Sequence, residues 1–281
     1  MQKSLKKYFA FFALPTILAF CIAFVAPFLM GLYLSFCKFT TVNDAKWVGF
    51  DNYVKAFTGD ADFVNALFFT TKFTIVAVIT VNIFAFILAY MLTRAMKGTH
   101  LFRTVFFMPN LIGGIVLGYI WQLIINGVLL HWGVDITTNA KYGFWGLVLL
   151  MNWQTIGYMM IIYIAGIQNV SSDLIEAAEI DGANKWQVLF HITIPNVMPS
   201  ITICTFLTLT NSFKLFDQNL ALTKGAPGKQ TQMLALDIFN TFYGRNGYEG
   251  VGQAKAVVFF VIVAVIAFIQ LYATRSKEVE N

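Results

Sequence analysis

Apolar residues run in long blocks along this chain, separated by short polar segments. Six blocks reach the ~20 residues that a membrane-crossing helix needs. They are approximately Phe11–Phe36, Ala66–Leu92, Val105–Ile125, Phe144–Ile167, Val197–Leu222 and Ala256–Tyr272. Pro15, Pro27, Asn82, Pro109, Gly113 and Gly114 fall inside or beside these blocks. Membrane helices tolerate such residues where neighbouring helices or a cavity satisfy the backbone. The pattern predicts an all-α, polytopic membrane protein with six transmembrane helices, a single membrane domain over residues 1–281. Lys3, Lys6 and Lys7 precede the first block as in a secretory signal, but the apolar run outlasts an h-region of ~7–15 residues and no small-x-small cleavage site follows. The expectation is an uncleaved first helix.

The polar segments set the orientation. Lys3, Lys6 and Lys7 come without an acid, as do Arg94, Lys97 and Arg103; Arg275 and Lys277 lie in the C-terminal tail. An even number of spans puts all three groups on one side, and the positive-inside rule makes that side the cytoplasm. The opposite loops mix their lysines with Asp44, Asp51, Asp60, Asp62 and Asp135. Residues 168–196 are then cytoplasmic and form the longest polar interruption on that face. Ser172 or Asp173 can N-cap a short helix, with Glu176 near its positive end. Leu174, Ala177, Ala178 and Asp181 share one face at helical spacing. Gly182 permits a sharp stop, Asn184 can cap a second short helix through Phe190, and Pro195 marks the return into the membrane. On the opposite side, Thr231–Tyr243 reads as a re-entrant or interfacial helix. No internal repeat or low-complexity tract appears.

Composition agrees with lipid as the solvent. Hydrophobic residues make up 58% of the 281 residues and charged residues 12%, against roughly a quarter charged in soluble domains, and mean hydropathy is +0.69. The net charge of +5 would raise nucleic acid for a soluble protein, but no basic stripe is long enough for a backbone groove. Cys21, Cys37 and Cys204 read as small core hydrophobes. His100, His131 and His191 lack metal-ligand spacing. Residues 225–231 (GAPGKQT) look like a phosphate-binding loop, but Gln230 breaks the Gly-Lys-Ser/Thr adjacency and no strand precedes it. Glu176, Glu179 and Asp181 read as solvated or protein-facing. The chain is therefore not expected to be an enzyme, and it offers no metal or cofactor site.

The segment Glu176-Ala177-Ala178-Glu179-Ile180-Asp181-Gly182-Ala183, followed by Phe190, Ile192, Ile194 and Pro195, resembles the EAA loop of ABC importer permeases. Ile194 stands where Leu usually precedes the proline. Other segments resemble the maltose-type sugar permeases: residues 47–53 (WVGFDNY), Phe102-Arg103-Thr104 with Pro109, residues 213–217 (FKLFD), residues 223–227 (TKGAP, with Ala226 for a usual Gly) and residues 252–256 (GQAKA). The resemblance covers nearly the whole chain. It lacks the extra N-terminal helices and large outer domain of some members, and so corresponds to the compact six-helix form.

The resemblance implies partners and roles. Such permeases pair with a second, non-identical permease and two cytoplasmic ATPase subunits, and an extracellular solute-binding protein delivers the ligand. ATP and Mg would sit in the ATPase, with none in this chain. The setting would be a bacterial or archaeal cytoplasmic membrane, with both termini cytoplasmic. Glu176, Ala177, Ala178, Asp181, Gly182, Ala183, Trp186 and Pro195 would form the ATPase-coupling element, with Trp186 and Phe190 anchoring its second turn to the spans. The substrate would be a sugar or oligosaccharide, with glycerol-3-phosphate or a polyol as the alternative. Asn110, Gly114, Asn152, Thr155, Ser212 and Leu215 would line its path; Asn211 joins them as a polar interruption of the fifth block beside Ser212, and helical phase points Gln154 away from Asn152 and Thr155. Lys214 can pair with Asp217 along one helix face, or meet a phosphate. An ion-coupled carrier would want more intramembrane charges and inverted repeats. A channel would want a polar filter, and an intramembrane enzyme a nucleophile–base pair or metal set.

Overall fold

A computed structural model describes residues 11–59, 61–94 and 97–275. Lys3, Lys6, Lys7, Asp60 and Lys277, used above for topology, lie outside them. The chain divides into two compact units, Met1–Phe63 with Ile238–Phe260, and Val64–Asp237 with Val261–Asn281. Among the described residues, five helices are each long and apolar enough to cross a membrane, and a bent helix pair makes a sixth if counted as one broken span.

In the first unit, helix α1 (Leu14–Leu34) opens into a π-turn at Cys21–Val25. The cause is Pro27, which has no N–H for the carbonyl four residues back and whose ring would crowd it. That carbonyl, on Ala23, lies within the widened turn. Cys21 lies exposed on this helix, whereas Cys37 and Cys204 are buried, so only two of the three cysteines are core residues. A two-residue antiparallel ladder follows, β1 (Cys37–Lys38) pairing with β2 (Lys46–Trp47), a small exception to an all-helical chain. Asp44 closes the loop between them. Its carboxylate accepts from the Thr40 and Thr41 N–H groups, and these bonds hold the carboxyl below its usual range. Helix α2 (Asp51–Thr58) is pinned by Asn52, whose amide donates to the carbonyls of Ser35 and Cys37. Lys255 is fully buried, its Nζ donating to Thr241 Oγ1 at 2.8 Å and lying 5.3 Å from the Phe63 ring centroid.

Helix α3 (Ala61–Leu92) runs through both units, and its second-unit part buries Phe73, Ala77, Val81, Ala85 and Ala89 at four-residue steps. Four-residue steps stack on one helix face, and small residues there let a neighbouring helix approach closely. The third predicted span is built in pieces. Helix α4 (Thr99–Phe107) passes into a 3-10 turn at Met108–Leu111, the chain extends through Ile112 and Gly113, and α5 (Gly114–Leu129) begins. Pro109 supplies no N–H, and a second helix can therefore start in a new direction.

Helix α6 (Ala140–Gln168) is the axis of this unit: 67% of its most apolar stretch is buried, against 6% in α1. The short helices α7 (Ser172–Ile180) and α8 (Lys185–Asn196) follow. Helix α8 turns by 68° into α9 (Met198–Phe213). The fifth predicted span, Val197–Leu222, is thus interrupted. It unwinds after Phe213 and resumes as α10 (Asp217–Leu222). Lys214 lies in that break and Asp217 starts the next helix, so they do not share a helix face, and no ion pair joins them. Helix α11 (Leu234–Gly244) is shorter than the predicted Thr231–Tyr243. Thr231, Gln232 and Met233 lie before it and are buried, with Asn219 bonding both the Thr231 carbonyl and the Met233 N–H. The last span is α12 (Glu249–Arg275).

Candidate coupling segment and translocation path

The segment between α6 and α9 is a helix, a glycine turn and a second helix, each junction closed by its own hydrogen bonds. The N-cap of α7 is Ser171, one residue before the predicted Ser172 or Asp173: its side chain accepts from the Asp173 N–H at 3.2 Å. Asp173 thereby falls in the first turn, where a carboxylate meets the positive helix end. At the other end the Ala183 N–H donates to the Ala178 carbonyl and the Gly182 N–H to the Glu179 carbonyl. This crossed pair satisfies carbonyls that a bare helix end leaves open. It requires a left-handed residue, and Gly182 has φ +84°. Asn184 then caps α8 through a reciprocal box. Its Oδ1 accepts from the Trp186 and Gln187 N–H groups at 3.0 Å, and Gln187 Oε1 accepts from the Asn184 N–H at 2.7 Å.

Helix α8 opens into a π-turn at Leu189–Thr193, two residues before Pro195. Pro27 in α1 stands in the same relation to its π-turn, and the missing proline N–H explains both.

The segment's faces differ from the expected ones. Ile175 and Ala178 are the half-buried residues of α7, whereas Leu174, Ala177 and Asp181 are exposed. Val188 and Leu189 form the buried foot of α8. Trp186 and Phe190 were expected to anchor this helix, but they lie 70% and 57% exposed and stack on each other with ring centroids 6.2 Å apart. The reason is helical phase: with Val188 and Leu189 inward, Trp186 and Phe190 fall on the opposite side. The outward surface therefore combines Glu176, Asp181, Gly182 and the aromatic pair. A notch of about 400 Å³ opens beside it, lined in part by Ala178, Gly182, Ala183 and His191.

The seven residues named for a substrate path fall into different environments. Asn152 is buried on α6, its Nδ2 donating to Thr80 Oγ1 at 2.9 Å and to the Val148 carbonyl, while its Oδ1 has no hydrogen-bond partner among the described residues. Thr155 and Ser212 are buried, but each hydroxyl donates to a carbonyl of its own helix. Leu215 belongs to the apolar core. Asn211 is exposed, and Asn110 is half-buried in the 3-10 turn. Gly114 lets α5 approach α10, because a β-carbon there would crowd Asp217 and Gln218. No hydrogen bond joins any two of the seven.

Gln154, read as pointing elsewhere than Asn152 and Thr155, is buried and bonds none of the seven. It donates to the Ile112 carbonyl at 3.3 Å and accepts from Gln218 Nε2 at 2.8 Å. Helix α6 is surrounded on most sides, so spacing alone could not separate its faces. A glutamine amid an apolar run was the available signal.

Residues 97–278 match the family described as binding-protein-dependent transport system inner membrane component. The chain is 44% identical over 277 residues to the probable starch degradation products transport system permease protein AmyD of Thermoanaerobacterium thermosulfurigenes, covering 96% of this chain and 94% of that protein. It is 28% identical over 291 residues to the multiple sugar-binding transport system permease protein MsmF of Streptococcus mutans, covering 99% of each. A chain of a bacterial ABC transporter involved in the import of the acidic polysaccharide alginate superposes with TM-score 0.82 at 21% identity, over 98% of both chains, a likeness of fold. The chain is a multi-pass permease component of an ABC importer: it belongs to the family of binding-protein-dependent transport system inner membrane components.

Proposed function

We propose that this permease carries a carbohydrate inward across the cytoplasmic membrane, with residues 171–196 as its contact to an ATPase. The doubly capped, glycine-turned segment carries the coupling part of this reading: its outward surface of carboxylates and stacked aromatics stands on a buried foot, so a push on that surface moves the ends of α6 and α9. The substrate class is supported by the relatives, whose names refer to starch degradation products, multiple sugars and alginate. The assembly contains a second, non-identical permease, two ATPases that bind ATP and Mg, and an extracellular binding protein. Both termini face the cytoplasm. Glu176 and Asp181 offer carboxylates to basic groups of the ATPase, and Ala177 and Ala183 keep the contact close. The sugar passes near Asn152, whose buried Oδ1 lacks a partner among the described residues, with Asn110, Gly114, Thr155, Asn211, Ser212 and Leu215 shaping the path.

Gly182→Asp tests the coupling role. A β-carbon at Gly182 meets nothing within 4 Å in the chain itself. The cost to folding is therefore the backbone strain of positive φ, ~1 kcal/mol, and the variant should insert and assemble its spans. ATP-driven uptake should be lost, with weakened ATPase copurification or hydrolysis without transport. Normal uptake would remove the segment from the coupling role. Asn152→Leu should lower transport while the assembly persists, and unchanged transport kinetics would take Asn152 out of the path.

A further inference from the structure

At the far end of α6 from the coupling segment, a cavity of about 490 Å³ lies between α3, the first turns of α6 and Gln230. Two lysines line it, Lys72 from α3 and Lys141 from α6, and among the described residues no carboxylate does. Lys72 is held over the Phe144 ring, its Nζ 4.9 Å from the centroid, a cation–π contact that fixes the ammonium at the cavity. The remaining wall is apolar and aromatic, with Phe69, Val76 and Trp145. Cationic at one side and apolar at the other, the cavity suits an amphiphilic anion better than a free one.

The surroundings point the same way. Lys72 lies on one α3 face with Phe68, Ile75 and Ile79, which are 70%, 56% and 53% exposed. Lys141 leads into Trp145 and Leu149 at four-residue steps on α6, exposed by 59% and 51%. Lys141 thus heads a stripe of exposed apolar residues on a membrane-crossing helix and Lys72 lies within another, and in a bilayer such stripes lie against acyl chains. The aliphatic stems of lysines can lie along this surface while the ammonium reaches the headgroup level.

We propose that this cavity is a binding site for an anionic phospholipid. The phosphate sits between the Lys72 and Lys141 ammonium groups, the Gln230 amide adds a donor, and one acyl chain follows the exposed stripes. The charge attraction is worth roughly fivefold in affinity per lysine near a membrane surface. For two lysines, retention of phosphatidylglycerol over phosphatidylcholine should therefore favour the anionic lipid by roughly 25-fold.

The test is native mass spectrometry of the full chain, released from vesicles of equal parts phosphatidylglycerol and phosphatidylcholine. It reads lipid retention and needs no transport, so it stands apart from the fate of the coupling and sugar readings. The wild type should retain phosphatidylglycerol preferentially. Lys72→Gln with Lys141→Gln should bring the preference to unity, and Lys72→Arg with Lys141→Arg should keep it. Equal retention of the two lipids by the wild type, or an unchanged preference in the glutamine pair, would overturn the site. Displacement of the retained lipid by soluble glycerol phosphate would mark a free-anion site instead. Loss of the lipid on assembly with a second permease would mark a protein interface. If the glutamine pair fails to insert, the wild-type preference still has to collapse in ~1 M salt, where screening shortens to about 3 Å, and a preference that survives would end the proposal.

Discussion

Gly157 lies where the end of α4 crosses α6. A β-carbon there would overlap the Phe106 carbonyl oxygen, a backbone atom that cannot move aside like a flexible side chain. Gly157→Ala should cost about 1–3 kcal/mol, the usual penalty of overpacking. Gly113→Ala makes the comparison, because its β-carbon meets nothing within 4 Å and its φ of −61° suits any residue. That variant should stay within about 0.5 kcal/mol of wild type. Melting of both purified variants in detergent checks the pair, and equal midpoints would overturn the close-approach account. The two glycines also mark what the sequence could yield. Gly182 was legible because its helix end and its next cap are neighbours in the chain. Gly157 was not, because its reason is a backbone from a segment outside its own helix. The bonds of Gln154 escaped for a related cause, since its partners Ile112 and Gln218 come from other elements.

At the scale of elements, the α7–α8 segment depends on Asn184 more than on its propensity. The α8 helix begins with only four regular residues, Lys185–Val188, before its π-turn, too short to form alone in water. Asn184→Ala removes both acceptor bonds at once and should cost about 1 kcal/mol. Amide hydrogen exchange over residues 185–189 should rise roughly fivefold, the equivalent of that cost. Insertion should persist, because Val188 and Leu189 still hold the foot. Unchanged exchange would show that the foot alone fixes the helix. This segment was readable in outline from caps, glycine and proline, since those signals are local, although Ser171 took the cap and the aromatic pair faced outward. The breaks in the third and fifth spans were less legible. Hydropathy averages over a window, so residues 213–217 (FKLFD) pass as the tail of one apolar run while the backbone unwinds between Phe213 and Asp217.

Over the whole molecule, burial is uneven in a way that a solitary carrier does not suit. α6 is enclosed, whereas α1 and α12 each bury only 6% of their most apolar stretch. Those surfaces can only meet lipid or other membrane subunits. The chain also supplies one segment of the α7–α8 kind, and under the proposed function its energy comes from ATP bound elsewhere. A pump driven from outside itself has no directed step to offer when its partners are absent. Purified chain in liposomes should therefore take up no labelled carbohydrate held by its binding protein, with or without ATP or an imposed ion gradient. Uptake should appear when the second permease, the ATPases, the binding protein and ATP are all added, and should stop when any one is withheld. Gradient-driven uptake by the chain alone would overturn the ATP-coupled reading. It would also require the few charged groups near the spans to carry an ion, and of these Lys72 lies over the Phe144 ring and Lys255 is bonded to Thr241.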